Sequence, residues 1–486
     1  MVISLIVSLY TSRVILDVLG VDDFGIYNVV GGIVILFLFL NTAMSGATSR
    51  FITYELGTGD KKNINNVFSA AMTIHIAIAI AIFILAETIG LYIFEKHIDI
   101  PQDRMLAARI VYQLSILSTI FSIIQIPYNA TIIAHEKMDI YAYIEIIKVF
   151  LKLGIVFLLL IFSYDKLIIY AILTLIISAI IYALYYFYCK HKFDTCKFHI
   201  IKDKKLLLPM LGFSGWELYG NGAVAIRQQG MTILINNFFG VALNAASGIA
   251  TQASSSIGLF AQNVTMPFRP QVIKEYSQKN FKSMQEILTL EFSVCLLLVP
   301  LMVVPLYIFM EPVVTLWLKE VPEYAITFCK LAVVLNFMGI FTTIFNTCIH
   351  ATGKIKGLSL INGSFFLISL LINYIFYKLG ANVSYAYYIW MVLMIITLIS
   401  SILLTHSLIK EISISQILKS QIRPLLSITI GSIITFYICS TIEINIINFI
   451  IMTFVNAIIV VILAIIIWIL PVYKTTFLKQ FTFFKK

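Results

Sequence analysis

YNATIIAHEKM (residues 128–138) comes back later in the chain as FNTCIHATGKI (residues 345–355), with Asn129 answering Asn346, Ala134 answering Ala351 and Lys137 answering Lys354. Working outward, IPQDRMLAAR at 100 has a counterpart in VPEYAITFCK at 321, which pairs Pro101 with Pro322 and Arg109 with Lys330. Further out, LGVDDFGIYNVVGGI at 19 corresponds to FGVALNAASGIATQ at 239. The three offsets, read from the start positions, are 217, 221 and 220. Agreement this close over such distances predicts a duplicated chain, because a duplicated bundle repeats its turns and caps at a fixed spacing.

What is duplicated is membrane-spanning. The chain has 486 residues, 60% hydrophobic and 12% charged. That composition cannot coat a soluble globule with polar side chains. Apolar runs of about 18 residues or more, enough to cross a hydrocarbon core of about 30 Å, recur to the end of the sequence. Fourteen are read, and the prediction is an all-α polytopic membrane protein of two pseudo-symmetric six-helix lobes, residues 1–208 and 209–409, with two further helices and a tail over 410–486. Of the 34 lysines and arginines, 23 fall in the tail and in connectors after even-numbered runs, and 5 in connectors after odd-numbered ones. Basic loops stay on the cytoplasmic side, so both termini are expected there. The net charge of +10 is thereby read as topology and contact with anionic lipid, and nucleic-acid binding is not indicated.

Several chemistries lack their motifs. None of the six cysteines makes a CxxC pair or a metal-ligand spacing. HEKMD at 135 lacks the second histidine of a zinc-protease helix, and HATGKIKG at 350 lacks the upstream glycine and the Ser/Thr of a phosphate-binding loop. The first apolar run carries Arg13 and Asp17 without a small-residue cleavage site, so it is expected to remain a span. No cofactor is expected.

Function has to be sought in the ionisable groups that the spans retain. IEIIKVFLKLGIVFLLL (144–160) holds Glu145, Lys148 and Lys152 at i, i+3 and i+7 on one helical stripe. Lys152 is expected roughly 18 Å inward at 1.5 Å per residue, too deep for easy escape to the surface. A charge at mid-bilayer costs at least about 2.5–3.5 kcal/mol, so it is expected to face water or protein. Arg13 with Asp17 at i+4, Glu87, and Glu217 with Arg227 are the other deep charges; structural pairing is the alternative for Arg13 and Asp17. Arg109, Lys330 and Glu291, near span ends, are expected to snorkel. GWELYGNGAVAIRQQG (215–230) is too polar to face lipid and is read as a cavity wall.

SLYTSRVILDVLGVDDFGIYNVVGGI, ATSRFITYELGTGD, IPYNATIIAHEKMDIYAY, GFSGWELYG, INNFFGVALNAASGIATQ, PQVIKEYS and HATGKIKG together resemble the polysaccharide flippases, for O-antigen and capsule repeat units, of the multidrug/oligosaccharidyl-lipid/polysaccharide (MOP) superfamily. The resemblance implies a V-shaped central cavity and alternating-access export of undecaprenyl-diphosphate-linked oligosaccharides across a bacterial inner membrane, beside polymerase and glycosyltransferase machinery. On that reading Lys152 and Arg227, with Arg13 and Lys148, attract the diphosphate, and Trp216, Asn221 and Gln228 contact sugar. Asp17, Glu87 and Glu217 are candidates for coupling to a proton or sodium gradient, and the membrane potential is a further driving force. The rivals are a multidrug cation antiporter of the same fold and a polysaccharide polymerase or ligase. The latter should carry a long outer loop, and the longest here is about fourteen residues, near 311–324.

Overall fold

The computed structural model describes residues 44–97, 100–161, 164–318 and 321–469, with single positions between 14 and 30. Arg13 and Asp17 lie outside the described residues. Every regular element among the described residues is helical, as expected for backbone in hydrocarbon, where each N–H and C=O must be satisfied within its own segment. Nine stretches of helix there are long and apolar enough to span a membrane, fewer than the fourteen expected. Much of the first two expected spans lies outside the described residues. The helix over 138–161 carries Glu145, Lys148 and Lys152 in every span-length window, and the one over 204–265 is rich in glycine, amides and hydroxyls.

The chain divides into two compact units, residues 1–218 and 219–486. In the first, α1 (44–58) is followed by α2 (Lys61–Leu85), a π-helical turn (Ala86–Gly90) and α3 (Leu91–His97). Then come α4 (Met105–Ile124), α5 (Ile126–Ala134), α6 (Met138–Ile161) and α7 (Lys166–Lys192). The core forms where α4 and α6 pack on α7 and α2 on α4. Phe68, Tyr128, Ile132, Leu159 and Tyr185 are sealed in one buried cluster, and Phe94, Val111, Tyr112, Ile116 and Leu167 in a second.

Polar contacts fix the ends of this unit. Arg104, in the turn before α4, bonds both Asp23 (2.5 Å) and Asp165 (2.6 Å), drawing together three connectors predicted to share the outer face. Asp165 also caps α7 through the N–H groups of Leu167 and Ile168, two donors that a helix start leaves unsatisfied. Burial pushes the Asp165 carboxyl up, but the Arg104 guanidinium and those backbone donors outweigh it and hold the group below the usual carboxylate range. At the other end the connector after α7 is strapped to α2 by Asn65, whose Nδ2 donates to the carbonyls of Thr195 and Lys197, both at 2.8 Å.

The second unit takes most of α8 (Lys204–Thr265), then α9 (Phe268–Ser277), α10 (Phe281–Ile308), α11 (Met310–Trp317) and α12 (Ala325–Thr352). It continues through α13 (Lys356–Lys378), α14 (Tyr385–Leu408), α15 (Ile414–Ser420), α16 (Ile422–Cys439) and α17 (Ile446–Ala464). Within it α12 and α13 pack on α14, and α10 packs on α12, α16 and α17. A buried Thr435–Asn456 hydrogen bond of 2.9 Å joins α16 to α17, and the Asn456 amide reaches on to the Leu301 carbonyl of α10.

The repeat seen in sequence is carried by the backbone. Gly20 (φ +79°) and Gly240 (φ +83°), equivalent positions at an offset of 220, both occupy the left-handed region that favours glycine. Gly240 splits α8 into two arms. At the same offset Gly59 (φ +80°) answers Lys279 (φ +57°), and each precedes a helix cap, Asp60 or Asn280. At an offset of 217, Glu136 (φ +60°) answers Gly353 (φ +77°).

Candidate functional site

A pocket of about 590 Å³ lies wholly within the second unit, and five helical faces build it. The first arm of α8 presents Val224, Arg227, Gln228, Met231 and Ile235, at i, i+3, i+4, i+7 and i+11, which fall on one side of a helix. Beyond Gly240 the second arm presents Asn244, Ser247, Thr251 and Ser255, three or four residues apart. Leu335 and Asn336 of α12, Phe366, Ser369 and Asn373 of α13, and Tyr387 and Trp390 of α14 close the ring. The left-handed Gly240 lets one long helical segment line the pocket twice.

Arg227 is the charged side chain among the lining residues, and no carboxylate accompanies it there. Its guanidinium carbon lies 3.4 Å from the centroid of the Trp390 ring, and Trp390 in turn packs on Phe366 with ring centroids 5.2 Å apart. A planar guanidinium over an indole is held by the ring quadrupole, an attraction of about 0.5–2 kcal/mol that grows as water is excluded. Stacking uses the face of the cation and leaves its N–H edge free to meet an oxyanion. Asn373, 2% exposed, donates Nδ2 to the Ser369 carbonyl at 2.7 Å, and its Oδ1 has no hydrogen-bond partner. The pocket can therefore offer one fixed positive charge, amides and hydroxyls for polar atoms, and aromatic faces for apolar ones.

Of the residues singled out from sequence, Arg227 and Gln228 line this pocket. Asn221, between one and two turns before Arg227 on α8, is exposed and outside the lining. Trp216 and Glu217 are half-buried and belong to the first unit. Lys148 is held by Glu145 at 3.2 Å. Lys152, one turn further along α6, is exposed and makes no ion pair with a described residue. Glu87 sits in the π-helical turn, where its Oε1 is buried without a hydrogen-bond partner. The neighbouring Ala86 carbonyl accepts from the Tyr112 hydroxyl at 2.6 Å. Arg109 pairs with Glu95 at 2.6 Å, and Lys330 lies 5.5 Å from the Tyr307 ring. Glu291 does not snorkel: it is 1% exposed. It occupies the buried stripe Met284, Leu288, Glu291, Cys295 and Val299 of α10, so its short side chain points into the bundle and cannot reach the interface.

Sequence reasoning missed Asn336, Asn373, Tyr387 and Trp390. The signal was present as polar groups in apolar runs, with Ser369 and Asn373 at i and i+4, but nothing in the chain order announces that α8, α12, α13 and α14 converge on one space.

The fold is similar to those of solved transporters. A MATE point mutant superposes with a TM-score of 0.70 at 14% identity, covering 84% of this chain and 95% of that one. The fold is that of the MATE transporters. The Vibrio cholerae MATE transporter VcmN matches with a TM-score of 0.67 at 16% identity, over 84% of this chain and 94% of its own. A MOP superfamily transporter from Pyrococcus furiosus, described as having a binding pocket of reverse polarity that suggests a different function, matches with a TM-score of 0.65 at 12% identity, over 82% and 91%. In sequence, residues 1–160 match the MatE family model. The comparison with curated proteins gave no match.

Proposed function

We propose that the chain is a multi-pass transporter of the MATE fold that moves undecaprenyl-diphosphate-linked oligosaccharides across a bacterial inner membrane by alternating access. The observation that carries this reading is the Arg227 pocket: a stacked guanidinium among amides and hydroxyls, with no carboxylate in the lining. Such a lining suits a cargo with oxyanions and many hydroxyl groups, because Arg presents a fork of donors to phosphate or carboxylate oxygens. A hydrated glycan cannot cross hydrocarbon without a polar path, since each uncompensated hydroxyl costs several kcal/mol there. Tyr387 and Phe366 offer apolar ring surface to sugar rings beside the Trp390 face that Arg227 covers. The pocket of reverse polarity described for the Pyrococcus furiosus transporter supports the idea that this fold accepts cargo of different charge. Lys148, Lys152 and Arg13 are further candidates to draw in the diphosphate, and Trp216 and Asn221 to contact sugar. Asp17, Glu87 and Glu217 remain candidates for ion coupling.

The second reading is a multidrug cation antiporter, favoured by the MATE structures that share the fold and by the aromatic share of the lining. A lone arginine in the pocket opposes it, because a cationic drug would meet like charge. The experiment is a reconstituted flipping assay with a fluorescent polyprenyl-diphosphate oligosaccharide, run beside an ethidium efflux assay on the same protein. The flippase reading expects glycan translocation and no ethidium transport; the reverse result overturns it.

A further inference from the structure

Glu291 stands apart from the pocket and from every group used above. It is 1% exposed, its Oε2 is buried with no hydrogen-bond partner, and it enters none of the ion pairs among the described residues. Its neighbours on the α10 stripe are Leu288 and Cys295. The titratable groups within its electrostatic reach are the thiols of Cys295 and, across on α12, Cys348. Other elements packed on α10 carry charge, namely Arg269, Lys274 and Glu275 on α9, Glu311 on α11, Lys330 and His350 on α12, Lys419 on α15 and Arg423 on α16. None of these forms an ion pair with Glu291.

We propose that Glu291 is a proton-binding site of the second unit, loaded in this conformation and emptied when α10 changes its packing. Two observations beyond the burial support it. A carboxyl that never changed charge would do no more than a glutamine, and this chain does use a glutamine for neutral bonding on the neighbouring turns of α10. There the Gln421 amide accepts from Ser293 (2.8 Å) and donates to the Thr289 carbonyl (3.2 Å). Those two residues lie two positions to either side of Glu291 and so point away from it. The helix that carries the carboxyl is also interrupted, with Pro300 and Pro305 removing two backbone donors and offering a bend at which the Glu291 arm can re-aim. The ligand is the proton itself: it leaves the carboxyl as the side chain meets water and returns when the side chain is sealed.

The test uses the full chain in lipid bilayers. Infrared spectra of the wild type at neutral pH should show the carbonyl stretch of a protonated carboxyl, absent from Glu291→Gln, which keeps the shape and hydrogen-bonding capacity of the neutral acid and should melt with the wild type. In proteoliposomes with the fluorescent polyprenyl-diphosphate oligosaccharide, an imposed pH gradient should accelerate the wild type and leave the rate of Glu291→Gln unchanged. The transport arm rests on the flippase reading and the infrared arm does not, so a wild type that fails to move the glycan leaves the spectra to decide. Identical carboxyl spectra for wild type and Glu291→Gln overturn the proposal, as does a gradient response retained in the variant. Should Glu291→Gln fail to fold, Glu291→Asp keeps an acid at the site and moves its carbonyl band from the glutamic to the aspartic position, and carboxyl spectra identical to those of the wild type overturn the proposal.

Discussion

At Arg227 charge, stacking and hydrogen-bonding geometry are separable, and substitution can tell them apart. Arg227→Lys keeps the charge and loses the planar stack on Trp390; Arg227→Met keeps apolar bulk and loses the charge. In equilibrium binding of the labelled polyprenyl-diphosphate oligosaccharide, we predict weakening of about tenfold for lysine and about a hundredfold for methionine, that is about 1.4 and 2.7 kcal/mol. Equal weakening by both would show that positive charge alone matters little. Trp390→Ala should resemble the lysine variant, because it removes the platform and not the cation. Gln228, on the same face of α8, contributes a neutral contact, and its replacement by alanine is expected to cost about 1 kcal/mol. Arg227 and Gln228 were legible in sequence because a cation and two amides stand out from an apolar run. Trp390 was not, since an aromatic residue in a span is ordinary and only its contact with Arg227, on a helix much earlier in the chain, gives it a role.

The turns make a sharper comparison, because the duplication places the same backbone conformation on different residues. Lys279 holds the left-handed conformation that Gly59 holds in the first repeat, and both precede a capping side chain. A non-glycine residue there carries roughly 1 kcal/mol of steric cost. Lys279→Gly should therefore raise the melting temperature in detergent, whereas Gly59→Ala should lower it. Opposite results would remove the claim that these turns are equivalent. The Arg104 clamp yields a pH dependence with a defined sign. The Asp165 carboxyl is held below the usual carboxylate range, so the stability it contributes is complete above the unfolded value of about 3.9 and is lost as pH falls through the lower folded value. Arg104→Met should shift the acid-denaturation midpoint of the first unit to higher pH, read by thermal melts across an acid series. Sequence alone did not single out the caps at Asp60 and Asp165, which the structure shows accepting from the first N–H groups of their helices. It gave no sign of the π-helical turn at Glu87, because one extra residue in a helix depends on packing against neighbours such as Tyr112 and has no compositional signature.

For the molecule in its membrane, the proposed cargo carries negative charge outward, so a potential that is negative inside favours export by about 2.3 kcal/mol per charge for each 100 mV. Net flipping in proteoliposomes is predicted to slow when a potassium diffusion potential is collapsed with valinomycin. A rate indifferent to the potential would mean that the charge is neutralised in transit. What the sequence alone determined is the membrane-spanning helical character and the duplication. Hydrophobic run length is a local property that the bilayer reads directly, and a repeated turn leaves its glycines and caps at a constant offset. Packing alone decided which charges are used. Depth along a helix can be counted from sequence, but the direction of a side chain around it depends on the neighbours. Glu291, near a span end and expected to reach water, is sealed inside α10's packed stripe, and Arg227 becomes part of a pocket only because the faces of α8, α12, α13 and α14 close around it.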